Sequence, residues 1–453
     1  MTDPKKLVQS AVEMACKAGA DSAEALLSQG KSLSIRVFEG QIESLEHAES
    51  SGIGFRVLVG KREGYAHTER TDAKGIKLAA KWAVENAAVG RENEFAGISD
   101  YPQGPDIGET YSEALAKVPL SEKVDLARKT EAEPRSVDKR VVNVPHAGYF
   151  EGDYEIALAN SRGLYRNRIG NYAGTYCAPL AIEGESRQSG YKVEVSRSFP
   201  ELSQKTVGVE AAKRALELLG AAPIGSGTLP VMFENLTACE LLGTFAGMFS
   251  GKAAEEGRTV LAGRTGEKIA APAVKIVDDA TRSGGFVSRA FDFEGFPTAR
   301  FEVVSEGFFK GFMHNTATAK KANTRSTGHA YRGYKGSLSV SPSNFFIEGE
   351  IHPLDALISG ISRGLFIVDL EGLHSGANGL NGDFSLGAKG FLIEAGKRVR
   401  PVEGVTVSGN FLTMLSNIKA VGDDFKFDTP GGTACIGAPS ILVETLSIAG
   451  GKK

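Results

Sequence analysis

The sequence predicts an α+β fold: an N-terminal half of strand meanders followed by helices, and a larger, strand-rich C-terminal half. Three observations carry this reading. A chain of 453 residues is longer than one hydrophobic core serves, since such cores stop growing near ~250–300 residues. Within residues 1–225, alternation of apolar and polar side chains gives way to helical periodicity twice over. Beyond them the pattern is mostly strands with short turns, the helices set apart from one another, which points to α+β and away from a doubly wound sheet.

The elements follow in order. Residues Lys5 to Leu27 begin with apolar positions at helical spacing (Leu7, Val8, Ala11, Val12, Met14, Ala15), and the helix stops at Gly19. Leu33, Ile35 and Val37 then alternate with polar neighbours as a first strand, and Gly40 turns the chain. Gln41 to Glu49, Ile53 to Val59 and Glu63 to Thr68 read as three more strands. Asp72, a residue type that accepts from free N–H groups of a first helical turn, opens a helix to about Val89. After a Gly- and Pro-bearing loop, Gly97 to Gly108, a charged helix runs from Ser121 to about Ser136, with Pro134 disturbing its last turn. Strands return from Val141 to Phe199, broken at Gly148, Gly152, Gly163, Gly170, Gly174, Gly184 and Gly190, and a helix spans about Leu202 to Leu219. This meander-then-helix pattern, repeated, suggests two subdomains, about 1–95 and 120–225, related by a loose duplication.

The breaker-rich segment Gly220 to Thr228 ends the N-terminal domain (1–225) and opens the C-terminal domain (226–453). A strand from Leu229 to Phe233 starts it. Helices are expected near Leu236 to Ala254, Pro353 to Ser362 and Gly409 to Val421.

Composition narrows the function classes. With 42% hydrophobic and 24% charged residues the chain has enough apolar material for packed cores. A net charge of −3 and the lack of a basic stripe argue against a nucleic-acid partner. The four cysteines (Cys16, Cys177, Cys239, Cys435) lie far apart with no CxxC pair, which argues against a disulfide framework and for a reducing compartment. Met1 to Ser10 carries no apolar signal segment, and no uninterrupted apolar stretch approaches a membrane span. The expectation is a cytoplasmic protein with no membrane partner.

Simple catalytic signatures fail: there is no HExxH, no phosphate-binding GxxxxGK[ST] and no GxGxxG after a strand. Gly360-Ile-Ser362-Arg-Gly364 matches a nucleophile elbow in letters only, because a helix precedes it and a strand follows, the reverse of what the motif requires. Glu348-Gly-Glu350-Ile-His352 would put three potential ligands on one strand face, which a solvated strand edge explains better.

Several stretches, in order, resemble one family. They are Glu39-Gly-Gln-Ile-Glu-Ser, Gly52-Ile-Gly-Phe-Arg-Val, Asp292-Phe-Glu-Gly-Phe-Pro-Thr298, His314-Asn-Thr-Ala-Thr-Ala-Lys-Lys321 and His374-Ser-Gly-Ala-Asn-Gly-Leu-Asn-Gly-Asp-Phe-Ser-Leu-Gly-Ala-Lys-Gly390. Ile393 to Pro401, Ser408-Gly-Asn410, Val421-Gly-Asp-Asp424 and Ile436-Gly-Ala-Pro-Ser through Ile448-Ala-Gly450 continue the series. Across nearly its whole length the chain resembles the TldD/PmbA family. TldD-like members are similar to one another in an HExxxH zinc helix and a further cysteine ligand near the C-terminus. Here the corresponding helix reads Cys239-Glu240-Leu-Leu-Gly-Thr244, with neither histidine, and Cys435 lies near the cysteine position in a shortened ending. The chain therefore looks like the PmbA, or TldE, branch.

That resemblance implies a subunit without a metal of its own, paired with a zinc-bearing TldD-like chain in a heterodimer that takes small or unfolded peptides. Alone, such a chain has a self-dimer open to it. Glu240 stands at the family's glutamate position, and Cys239 and Cys435 are the residues to examine as metal donors. Asp292, Glu294, His314, Asn315, His374, Asn378 and Asp383 are the candidates for lining a peptide chamber. For Asp292, Glu294, Asn378 and Asp383 a second reading stands beside that one, because Asp, Asn and Gly also gather in turns for local hydrogen bonding. The competing functions are a self-sufficient metallopeptidase with an atypical site and a non-enzymatic modulator that binds DNA gyrase.

Overall fold

The computed structural model describes residues 3–432 and 434–451, and the architecture is α+β. Seven antiparallel strands form one N-terminal sheet, in the order 62–68, 41–59, 22–38, 141–160, 165–183, 186–189, with 192–196 also pairing onto 165–183. The two meander units meet where Ser22–Phe38 pairs with Val141–Asn160, so they share a single sheet. Helices Pro4–Lys17 and Ala73–Val89 cover one end of it. Asp3 and Asp72 cap them by accepting from Lys5 N and Gly75 N. Their buried faces are rich in alanine (Ala11, Ala15, Ala79, Ala83) and lie against Ile53, Phe55 and Val57. Helices Leu120–Ala132 and Val207–Glu217 cover the other end.

Several expected strand breaks are not breaks. Ser22–Phe38 begins well before Leu33, because Ala23 to Leu27 is buried throughout between strands on both sides and so shows no alternation. The two strands expected at Gln41 to Glu49 and Ile53 to Val59 are one strand, Gln41–Val59. Gly148, Gly152, Gly170 and Gly174 all lie inside continuous strands. Two of these glycines sit directly opposite aromatic residues, Gly170 beside Tyr154 and Gly174 beside Phe150. A Cβ on Gly170 would fall 2.5 Å from the Tyr154 ring, and one on Gly174 2.3 Å from the Phe150 ring. The rings cover the bare backbone, which is why glycine is required there. Only Gly163 and Gly184 make true turns at positive φ within this run.

Helix expectations shorten in the same way. Leu202 to Leu219 divides into Phe199–Ser203 and Val207–Glu217. Leu236 to Ala254 resolves into Asn235–Phe245, a 3-10 turn at Ala246–Phe249 and Gly251–Glu255. Gly409 to Val421 becomes Phe411–Ser416 followed by the strand Ile418–Gly422. Asn410 ends a strand and caps that helix through Leu412 N and Thr413 N.

In the C-terminal half five strands close into a ring. Gly227–Phe233 pairs in parallel with Arg363–Glu371, then Asp383–Glu394, Lys397–Asn410 and Ile441–Gly450 follow antiparallel, and the last pairs back onto Gly227–Phe233. Closure leaves those strands without a free edge. A second sheet, in the order 308–309, 300–305, 275–279, 344–348, 435–438, 426–427, packs beside it. Between the two lies the main core, built around Phe233, Phe245, Phe249, Phe309, Phe345 and Phe411.

Tyr334 of the C-terminal half lies over Gly52 and Gly54 of the N-terminal sheet. A Cβ on Gly54 would stand 2.1 Å from the Tyr334 carbonyl oxygen, a backbone atom with no room to yield. Gly54→Ala is therefore expected to lower stability by about 1–3 kcal/mol, the usual cost of overpacking, measurable as a fall in the urea midpoint. An unchanged midpoint would show that the two halves do not sit this closely in solution. Among the described residues, no helix is long and apolar enough to cross a membrane.

Candidate functional site

Helix Asn235–Phe245 carries the residues singled out at the family's zinc position. Its buried face (Ala238, Cys239, Leu241, Leu242, Phe245) packs into the main core, which leaves Glu240 on the half-buried side. The Cys239 thiol lies 3.5 Å from the Lys426 carbonyl and the Cys435 thiol 3.2 Å from the Asp428 carbonyl. Burial pushes both thiols up, Cys435 to about 12, so neither is poised as a thiolate. Thr244 Oγ1 donates to the Glu240 carbonyl at 2.7 Å, one turn back along the helix. These donor atoms are engaged with backbone, and among the described residues no group of three His, Cys, Asp or Glu side chains could hold a metal ion. A catalytic zinc ordinarily takes three protein ligands. The residues present do not fit one.

Glu240 stands among carboxylates. Burial, then the charges of Asp369, Asp428 and Glu234, push its carboxyl up to about 7, and its Oε2 has no hydrogen-bond partner among the described residues. Glu234 is bound by Arg214 at 2.6 Å. A carboxyl raised in the fold keeps its proton there while the unfolded chain has already lost it, so stability falls as pH rises from about 4.5 towards 7. Glu240→Gln removes that slope. The variant is expected to gain on the parent by on the order of 1 kcal/mol at pH 8 relative to pH 5, a figure reduced for the solvent reaching this partly exposed group. Urea titrations at the two pH values check it, and equal differences at both would place the Glu240 carboxyl in an ordinary environment.

The acidic turn at Asp292 is held by backbone hydrogen bonds. Its carboxylate accepts from three backbone N–H groups, Glu294 at 2.9 Å, Phe296 at 3.0 Å and Ala330 at 3.0 Å, tying the turn to the neighbouring chain. Gly295 takes the left-handed conformation the turn needs, φ +82°. Glu294 accepts from Thr316 N at 2.8 Å and lies 3.5 Å from Arg56 Nη1. Burial pushes both carboxyls up. Their mutual repulsion adds to this at Asp292, while Arg56 opposes it at Glu294.

His314 and Asn315 begin helix Thr316–Lys321. Asn315 and Thr318 form a reciprocal cap, and the His314 ring lies 3.0 Å from Thr318 Oγ1. His314 packs against Gly251, where a Cβ would meet its Nδ1 at 2.3 Å, and burial lowers its pKa to about 4. It is a neutral, packed histidine. His374, Asn378 and Asp383 are exposed. Asn378 Oδ1 accepts from Leu380 N, and Asp383 joins Asn381 and Asn410, so this loop is laced by its own side chains. Glu348 of the other candidate cluster pairs with Arg300 at 2.8 Å.

The structure thus brings Asp292, Glu294, His314 and Asn315 into one buried neighbourhood and leaves His374, Asn378 and Asp383 on the surface. What the sequence reading missed is the charge network behind the first group. Arg56, wholly buried, reaches Glu63 at 2.9 Å, Glu294 at 3.5 Å and Glu24 at 3.8 Å, and Arg332 grips Glu24 at 2.7 Å. Five charged residues from both halves of the chain meet in the interior. One signal was available: an arginine inside Ile53 to Val59, a strand whose alternate positions are apolar or glycine on either side of it.

Family models match along the chain in sequence: PmbA/TldA metallopeptidase domain 1 over residues 23–87, the central domain over 113–219 and the C-terminal domain over 226–450. The chain belongs to the PmbA/TldD metallopeptidase family. Among PmbA/TldD relatives it is 27% identical to the metalloprotease PmbA homolog of Haemophilus influenzae, covering 98% of this chain and 96% of that one. It is 26% identical to metalloprotease PmbA of Escherichia coli O157:H7, covering 98% and 97%. The fold superposes with a TM-score of 0.89 on a Thermotoga maritima protein described as a candidate modulator of a DNA gyrase, at 28% identity over 98% of this chain and all of that one. TldE from Thermococcus kodakarensis shares the fold, with a TM-score of 0.87 at 23% identity over 97% of this chain and 99% of that one.

Proposed function

We propose that this chain is the partner subunit, without a metal of its own, of a two-chain zinc peptidase acting on small or unfolded peptides. The observation that carries the reading is the helix Asn235–Phe245. Where TldD-like chains are similar in an HExxxH motif, this helix has Cys239 and Thr244, whose side chains are directed to backbone carbonyls. In such a pair the TldD-like partner supplies zinc, which polarises the scissile carbonyl and activates water. This chain contributes wall and docking surface. Cytoplasmic location goes with the reading, as does peptide processing.

One observation favours a second reading. Glu240, raised to about 7 and with an oxygen that has no hydrogen-bond partner among the described residues, has the protonation behaviour of a general acid or base, as a self-sufficient peptidase would need. The gyrase description of the Thermotoga relative finds no basic surface stripe in the sequence to support nucleic-acid contact.

Purified chain, TldD-like chain from the same organism and their mixture should be compared for peptide hydrolysis, with zinc quantified in each. Hydrolysis in the mixture, with zinc in the partner alone, is the expected result. Stoichiometric zinc and chelator-sensitive cleavage by this chain on its own would replace the proposal with the second reading.

A further inference from the structure

A cavity of about 450 Å³ opens between the N-terminal sheet and the C-terminal half. Its volume suits a small organic ligand or the end of a peptide. Arg168, Arg289 and Arg332 line it, against one lining carboxylate, Asp153, which accepts from the Lys31 backbone N–H at 2.9 Å. Arg332 is 1% exposed. Its Nη2 donates to Glu24, while Nε and Nη1 have no hydrogen-bond partner among the described residues. Arg168 lies with its guanidinium 4.7 Å from the Phe293 ring centroid, and its Nε is likewise buried without a partner among those residues. Burial, then the positive charge of Arg289, lowers the pKa of Arg168 to about 10. Among the described residues no carboxylate forms an ion pair with Arg168, and unsatisfied N–H groups inside a protein are costly.

Tyr154, Tyr172, Phe286 and Tyr331 supply an aromatic part of the wall, beside a polar part that includes Gln29 and Lys31. This combination selects among anions. A free phosphate would meet the guanidinium groups and leave the rings in contact with water. A carboxylate attached to an apolar body uses both, with paired N–H donation to the carboxylate and ring contact for the body. We propose that this cavity takes the C-terminal residue of a peptide, its carboxylate on Arg168 and Arg332 and its side chain against the aromatic wall. The assignment rests on the peptide reading given above and adds to it a polarity: the chain would hold peptides by their C-terminal end.

The test is calorimetric titration of the full chain, without partner, with N-acetyl-Ala-Phe as the free acid and as the amide. The acid is expected to bind at least about tenfold more tightly, as a charge-assisted bond to arginine implies. Arg168→Gln should bring it to the level of the amide, and Arg168→Lys should retain part of the difference. Equal binding of acid and amide, or binding of neither, overturns the proposal. So does binding of inorganic phosphate that the dipeptide acid does not displace. Should Arg168→Gln fail to fold, the comparison of acid with amide on the unmodified chain still decides. Hydrolysis by the two-chain mixture is read separately, so failure of this pocket is distinguishable from failure of the subunit reading.

Discussion

Arg56→Ala is expected to destabilise the protein by about 3–5 kcal/mol, the range seen when one partner of a buried ion pair is removed. The side chain is wholly buried and serves several acceptors: Glu63 at 2.9 Å, the Gly97 carbonyl at 3.2 Å, Glu294 at 3.5 Å and Glu24 at 3.8 Å. Burial disfavours its charge, yet Glu24 and the other acidic neighbours outweigh that and hold the guanidinium pKa above its usual value. Without it, Glu294 and Glu63 lose their cation, and Glu24 keeps Arg332. The carboxylates then repel one another in a low-dielectric interior.

Because Glu24 and Glu63 belong to the N-terminal sheet and Glu294 to the C-terminal half, the loss falls on their docking. Urea unfolding should show a lower midpoint and a shallower slope, the sign of a transition that has become less cooperative. Arg56→Met, which keeps volume but supplies no charge, should recover little. A change below about 1 kcal/mol in the alanine variant would mean that solvent reaches this cluster and screens it.

The second large effect belongs to Phe245. Phe245→Ala should cost about 3–5 kcal/mol, as deletion of a buried ring generally does through lost burial and the cavity left behind. The ring is fully buried, stacked on Phe411 at 4.6 Å between centroids, and it meets Phe384 at 6.3 Å. It ends the helix that bears Glu240 and fastens it to the barrel strand Asp383–Glu394 and the helix Phe411–Ser416. Phe245→Leu fills most of the space and should lose much less. Thermal or denaturant unfolding of the pair gives the answer. Equal, small losses in both would show that the core closes over the gap.

The legible parts of this protein were those whose cause is local. The cap at Asp72, the turn at Gly40 and the helix stop before Gly19 follow from residues acting on backbone a few positions away. The cap of Asn315 on Thr318 is likewise a three-residue contact, at a residue the sequence offered only as a candidate for lining a chamber. Glycines within Val141–Asn160 and Tyr165–Glu183 misled because their partners, Phe150 and Tyr154 among them, sit on a neighbouring strand. A glycine that ends a strand and one that accepts a ring look alike in sequence.

The candidate site divides along the same line. The sequence by itself determined the family, the α+β class and the identity of the residues at 239–244, because these depend on which side chains occur and at what spacing. Tertiary structure alone decided that the Cys239 and Cys435 thiols face carbonyls, that Asp292 braces a turn, and that Arg56 and Arg332 meet Glu24 and Glu294. Arg332 lies 308 positions from Glu24. Periodicity reports how a segment divides between core and solvent over a few turns or pleats, and it carries no information about which distant charge will be folded against it. A buried ion pair is favourable only when both partners arrive together, so its energy exists only in the folded chain.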